Sequence, residues 1–310
     1  MKIAFVFPGQ GSQSVGMMKG FDGHPAVRAA FDEASSVLGE DLWTLASAGP
    51  EEALDLTVNT QPVMLTAAVA VWRAWQAAGG PAPAIVAGHS LGEYSALVAA
   101  GALAFRDAVP LVRFRAQAMQ EAVPPGAGAM AAILGADDDT VAAACRQAAE
   151  GHVVEPVNYN APAQVVIAGE RAAVERAMLA AKELGARRAV LLPVSAPFHS
   201  SLLKPAAERL AQRLAQVPVA APSIPVLHNV DVALHPEPDA IRAALARQAA
   251  SPVRWTQTIR AFAEAGVTHV VECGPGKVLA NLVKRIDERL EPLALTSGSM
   301  LDDALAQLKG

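Results

Sequence analysis

A serine with glycines two positions to either side, Gly88-His89-Ser90-Leu91-Gly92, follows the short apolar run Ala84-Ile85-Val86-Ala87. It precedes the helix-forming stretch Glu93 to Ala100. Strand, tight turn and helix in that order are the setting of a nucleophile elbow, with Ser90 as the candidate nucleophile. Such a turn forces the serine into a strained backbone conformation, and side chains at 88 or 92 would collide with the strand or the helix. The helix start also aims free N–H groups at charge developing near Ser90. The bland alternative is a strand-to-helix turn that happens to hold a serine; the agreement of both flanks favours the nucleophile.

A serine hydroxyl at neutral pH needs a general base within hydrogen-bond reach, most often a histidine. The chain has seven. His89 adjoins the serine, but successive residues in the turn point apart; His24, His152 and His235 read as surface positions. His228 and His269 lie in apolar strand patterns, where a satisfied structural histidine is the ordinary explanation. That leaves His199, which follows the proline break in Ser195-Ala196-Pro197-Phe198, as the candidate base, with His228 and His269 as alternatives.

Arg115 is the third residue with chemistry to offer. In a helix near 107–121 its neighbours at helical spacing are Leu111, Val112, Ala118 and Met119, so the guanidinium sits on an apolar stripe with no carboxylate three or four residues away. A buried charge needs a partner. Either a distant acid supplies it, or a carboxylate on the substrate does.

The elements that must position these residues read as an α/β chain. Ile3 to Phe7 is an apolar run of the kind buried in a parallel sheet, and it ends in Pro8-Gly9-Gln10-Gly11, a loop at the carboxyl edge where open sheets bind ligands. Helices are expected near 26–38, and from Pro62 to Ala77 with Asn59 or Thr60 as N-cap. From 126 to 194 the order is strand (130–134), helix (137–149), strands (153–158 and 164–168), helix (171–184) and strand (189–194). This β-α-β-β-α-β order is the ferredoxin-like arrangement, which places a small body inside a larger one and the cleft between them. Strands at 224–228 and 267–272, with helices at 239–250, 256–265 and 278–289, return to the main sheet.

Composition bounds the rest. The 310 residues are 18% charged and 52% apolar, a globular balance that argues against disorder. A net charge of −5 argues against a general nucleic-acid binder. Cys145 and Cys273 make no disulfide framework or metal cluster and read as free core thiols. The amino-terminal apolar run is too short for a signal sequence, and no stretch reaches membrane-spanning length, so a cytoplasmic protein with no membrane partner is expected.

The segments PGQGSQ (8–13), NTQP (59–62), GHSLGEY (88–94), FRAQAMQEA (114–122), VNYNAPAQVVIAG (157–169), PFHS (197–200), QAASPVRW (248–255) and ECGPGKVL (272–279) resemble, in order and over essentially the full length, the malonyl-CoA:acyl carrier protein transacylases and the acyltransferase domains of polyketide synthases. The resemblance implies an α/β-hydrolase-like large subdomain with a parallel sheet (1–126 and 195–310) and an inserted ferredoxin-like small subdomain (127–194). It implies a malonyl-Ser90 intermediate with His199 as base, Arg115 as clamp for the malonyl carboxylate, and the N–H groups of Gln10 and Leu91 as oxyanion hole. The main-chain carbonyl near Gln248 would orient the histidine in place of an acid, and Phe198 and Asn160 would lie at the substrate, with a bulky Phe198 matching the malonyl-selecting pattern. Coenzyme A thioesters and holo acyl carrier protein are the implied partners, malonyl-CoA the substrate, with no bound cofactor, no metal and a monomeric enzyme. Acyl carrier proteins are acidic, so docking is expected on a local basic patch drawn from Lys182, Arg187, Arg188, Lys204, Arg209, Lys277, Lys284 and Arg285. A hydrolase using the same serine is the rival reading, and whether the carrier serves fatty-acid or polyketide synthesis or malonate decarboxylation is not written in the chain.

Overall fold

The computed structural model describes residues 1–309. The chain opens with β1 (Ile3–Phe7) and runs through α1 (Pro25–Leu38), α2 (Leu42–Ala48), α3 (Glu51–Leu54) and α4 (Thr57–Ala77) before β2 (Ile85–Gly88), α5 (Gly92–Ala99) and α6 (Phe105–Glu121). Then come β3 (Gly128–Leu134), α7 (Asp138–Ala149), β4 (Val154–Ala161), β5 (Gln164–Glu170), α8 (Arg171–Glu183) and β6 (Arg188–Leu191). The last third holds α9 (Lys204–Leu214), β7 (Val226–Leu227), α10 (Pro238–Gln248), α11 (Trp255–Glu264), β8 (His269–Cys273), α12 (Val278–Ile286), β9 (Glu291–Leu295) and α13 (Gly298–Lys309).

Two sheets organise these elements. One is five-stranded and parallel, in the order β7-β2-β1-β8-β9. Its central strand β1 is buried on both faces, as its unbroken apolar run requires: Phe5 and Phe7 pack on one side, Phe5 against Trp72 and Trp75 of α4, while Ala4 and Val6 join Trp255, Ile259 and Phe262 of α11 on the other. The other sheet is four-stranded and antiparallel, in the order β4-β5-β3-β6, with α7 and α8 closing a separate Ala- and Val-rich core. Its β-α-β-β-α-β order is the one expected from the sequence. The antiparallel sheet meets the larger body through Met130, Val157, Val166 and Ala168, which join the main core, and through a bridge from Asn158 of β4 to Val253 in the loop before α11.

Some boundaries differ from the sequence reading. Helix α4 begins at Thr57 rather than near Pro62, and Pro62 lies inside it. Asn59 and Thr60, expected as caps, instead fasten the first turn to α3, Asn59 Nδ2 donating to the Ala53 carbonyl and Thr60 Oγ1 to the Leu54 carbonyl. This tertiary anchoring carries the helix upstream of a proline that costs it one internal hydrogen bond. Strand β4 runs on to Ala161 through two register shifts, and β6 stops at Leu191, before Pro193. Helices α2, α3, α9 and α13 and strand β9 had no individual signature. Cys145 and Cys273 are free and buried.

Candidate active site

The elbow is built by close approach. A Cβ at Gly88 would fall on the backbone of Gly92, and one at Gly92 on the carbonyl of Phe7, so neither position has room for a side chain. The turn between them holds Ser90 at φ 53°, in the left-handed region. Both backbone groups of Ser90 are held by side chains: its N–H donates to Asn229 Oδ1 (2.7 Å) and its carbonyl accepts from Gln248 Nε2 (2.9 Å).

His199 sits in the bend after Phe198, also at positive φ (67°), and only 3% of its surface is exposed. Its Nδ1 lies 2.9 Å from the Gln248 main-chain oxygen and its Nε2 2.6 Å from Ser90 Oγ. A carbonyl can only accept, so Nδ1 carries the proton and Nε2 is left as acceptor for the serine hydroxyl. Burial, followed by the neighbouring Arg115 charge, holds the imidazole down to about 3, so the ring is neutral at any physiological pH.

Arg115 lies on the buried face of α6, 2% exposed. Its Nη1 donates to Gln61 Oε1 (2.8 Å), and its Nη2 to Gln248 Oε1 (3.0 Å) and Ser90 Oγ (3.1 Å). Its Nε has no partner, and among the described residues no carboxylate comes within ion-pair distance of the guanidinium. The fork is therefore held by neutral groups beside the nucleophile. A cleft of about 510 Å3 opens over these atoms, walled by Gln10, Gln61, Leu91, Arg115, Phe198 and His199. Among the described residues the N–H groups of Gln10 and Leu91, two of the residues lining that cleft, donate to no protein acceptor.

Residues 4–296 match the acyl transferase domain family. The chain is 56% identical over 305 residues to the malonyl CoA-acyl carrier protein transacylase of Escherichia coli, covering 98% of this chain and 99% of that protein. It is 46% identical to the Bacillus subtilis transacylase over 310 residues, 99% and 98% of the two chains. The chain belongs to the malonyl CoA-acyl carrier protein transacylase family. Among solved structures, an acyl-carrier-protein S-malonyltransferase from Burkholderia pseudomallei superposes with a TM-score of 0.98 at 63% identity, over 99% of this chain and 100% of that one. A malonyl-transacylase solved in complex with a type II PKS acyl-carrier protein superposes with a TM-score of 0.98 at 51% identity, over 99% of this chain and 100% of that one.

Within this transacylase fold the remaining expected residues fall at different depths. Phe198, 8% exposed, lines the cleft beside His199. Asn160 stands behind the elbow, its Oδ1 2.8 Å from His89 Nε2, while Asn158 of the same strand reaches the cleft wall. His89 thus points away from Ser90 Oγ, as the turn geometry predicts. His228 is fully buried with its Nδ1 2.7 Å from Glu93 Oε1, and His269 contacts Thr268, so neither reaches Ser90. Three residues around the serine carried no assigned role in the sequence: Gln61, Asn229 and Glu93. Gln61 and Glu93 stand in the motifs Asn59–Pro62 and Gly88–Tyr94, and Asn229 follows a strand at the ligand-binding edge of the sheet, which were the available signals.

Proposed function

We propose that this transacylase moves the malonyl group of malonyl-CoA to the phosphopantetheine thiol of acyl carrier protein through a malonyl-Ser90 intermediate. Ser90 Oγ attacks the thioester carbonyl while His199 Nε2 takes its proton. The tetrahedral oxyanion rests on the N–H groups of Gln10 and Leu91. Collapse expels coenzyme A thiolate, which recovers the proton from His199, and the carrier thiol then releases the acyl group by the same steps reversed. A thioester is consumed and a thioester made, so the exchange is close to isoenergetic. These side chains and amides complete the proton and charge inventory of the reaction, which calls for no cofactor. The Gln248 carbonyl orients His199, Phe198 shapes the acyl pocket and Asn160 supports His89. We place the cleft between a large subdomain (1–126 and 195–310) and an inserted one (127–194), a division supported by the separate core that α7 and α8 close on one face of the antiparallel sheet.

The observation that carries the malonyl assignment is Arg115. In a malonyl group only two C–C bonds separate the reacting carbonyl from the carboxylate, so the anionic end must lie beside the nucleophile, where the buried guanidinium stands 3.1 Å from Ser90 Oγ. Replacing Arg115 by Ala is expected to lower kcat/KM for malonyl transfer about 100-fold or more, the loss of one partner of a dry charged pair at roughly 3 kcal/mol or above. Acetyl transfer should fall less or rise, because a neutral acyl group leaves the wild-type guanidinium unpaired. Equal losses for malonyl-CoA and acetyl-CoA would make Arg115 structural, and release of free malonate with no acylated carrier would make the protein a hydrolase.

A further inference from the structure

Glu93, in the first turn of α5, is fully buried, yet its carboxylate is not satisfied by its own helix. It accepts from three tertiary donors: His228 Nδ1 at 2.7 Å, the Asn229 N–H at 2.9 Å and Gln248 Nε2 at 3.0 Å. Two of these lead straight to the nucleophile. Asn229 clamps the elbow with its side chain, accepting the Ser90 N–H and donating to the Gly88 carbonyl (2.7 Å). Gln248 donates to the Ser90 carbonyl, accepts from Arg115 through its side-chain oxygen, and orients His199 through its main-chain oxygen.

An amide side chain can present either end to a neighbour, so something must decide which way Gln248 faces. A carboxylate only accepts and a guanidinium only donates. With Glu93 on one side and Arg115 on the other, the amide nitrogen is compelled toward Glu93 and Ser90, and the oxygen toward Arg115. The same arrangement keeps two buried opposite charges apart. A direct Glu93–Arg115 pair would occupy the fork; with the Gln248 amide between them, the negative charge offsets that of the guanidinium while leaving it without a carboxylate partner.

We infer that Glu93 is the positioning carboxylate of this active site, acting through Gln248 and Asn229 to hold Ser90 in its left-handed conformation, keep His199 aligned and leave the fork of Arg115 open to the substrate. This rests on the proposed roles of Ser90, His199 and Arg115 and adds the acid that the histidine itself lacks, one residue removed. A misplacement of about 1 Å among reacting groups costs on the order of 100-fold in rate. Charge and anchoring are separated by two isosteric variants. Glu93→Gln removes the charge, and Gln248→Met removes the amide bridge while retaining the main-chain oxygen that His199 needs.

The test is the rate of acylation by malonyl-CoA per active site, with sites counted by burst labelling and the fold followed by circular dichroism. Glu93→Gln is expected to fold and to acylate about 10- to 100-fold more slowly per site, with KM changed less than about threefold. Transfer from the acylated enzyme to free pantetheine should slow in proportion, since one elbow serves both steps. Gln248→Met should slow acylation at least as much and shift preference from malonyl toward acetyl, which a purely structural role would not do. Per-site rates within twofold of wild type in a folded Glu93→Gln overturn the inference. Should Glu93→Gln fail to fold, an unchanged rate and preference in Gln248→Met overturn it equally. Ser90→Ala, run alongside, separates the two levels: a malonyl adduct on that variant sinks the reading of the site, whereas an inert Ser90→Ala with a wild-type Glu93→Gln sinks the role of Glu93 alone.

Discussion

A histidine base usually imposes a titration near neutrality on the reaction it serves. His199 is different because its ring is enclosed by protein and faces the Arg115 charge, and both disfavour the imidazolium, bringing it down to about 3. The sign follows directly: a base whose protonation is pushed far below 6.5 stays competent as the pH falls. Single-turnover acylation by malonyl-CoA is therefore expected to be flat from about pH 8 to about pH 5, measured by rapid quench and intact mass. A break near 6.5 would show that the ring is far more open to water than its 3% exposure implies.

At the scale of elements, the loop after β1 that carries Gln10 is braced from the side by the turn between β8 and α12. A Cβ at Gly274 would press on the Pro8 ring, so the backbone of that turn lies against the start of the loop that carries Gln10. The turn is tied to α12 by Glu272, which is fully buried and accepts the Ala280 N–H at 2.7 Å, its other oxygen having no partner. Burial pushes this carboxyl up to about 7, against the opposing pull of the helix-start N–H groups. The folded state thus holds a proton that the unfolded chain releases near 4.5, and stability falls as the pH rises between those values. Glu272→Gln, which stays neutral while keeping an acceptor for α12, should flatten that fall by up to about 3 kcal/mol. Urea midpoints at pH 5 and pH 8 measure it, and an unchanged difference between the two would place the Glu272 carboxyl in water.

Considered whole, the molecule carries a net charge of −5, so attraction for an acidic carrier protein has to come from a local patch. The structure thins the basic residues that could form it. Arg209 is paired with Glu121 and Lys284 with Glu291, while Arg285 donates to Gln164. Lys204, just after His199, is exposed, as are Lys182, Arg187, Arg188 and Lys277, and among the described residues none of them is in an ion pair. Lys204→Glu is expected to raise KM for the carrier several-fold with acylation by malonyl-CoA unchanged. Because exposed charges more than about 8 Å apart are largely screened at physiological ionic strength, added salt should weaken transfer to the carrier roughly tenfold and transfer to free pantetheine hardly at all. Equal salt sensitivity of the two acceptors would mean that docking is not electrostatic.

What the sequence determined alone is what local sterics and periodicity govern. The Gly-x-Ser-x-Gly between an apolar run and a helix specifies the elbow because only glycine survives the backbone approach at 88 and 92. The unbroken apolar run specifies a strand buried on both faces, and the spacing around Arg115 puts a guanidinium on a buried stripe. Tertiary structure decided everything that depends on distance between segments. His199 lies 109 residues from Ser90, and nothing in its neighbours states that the bend after Phe198 delivers its Nε2 to the serine, while His228 is taken up by Glu93. The start of α4 moved because α3 supplies acceptors for its first turn. The convergence of Glu93, Asn229 and Gln248 on one serine likewise has no signature along the chain. A buried polar group must find its partner wherever packing places it, and packing is a property of the whole fold.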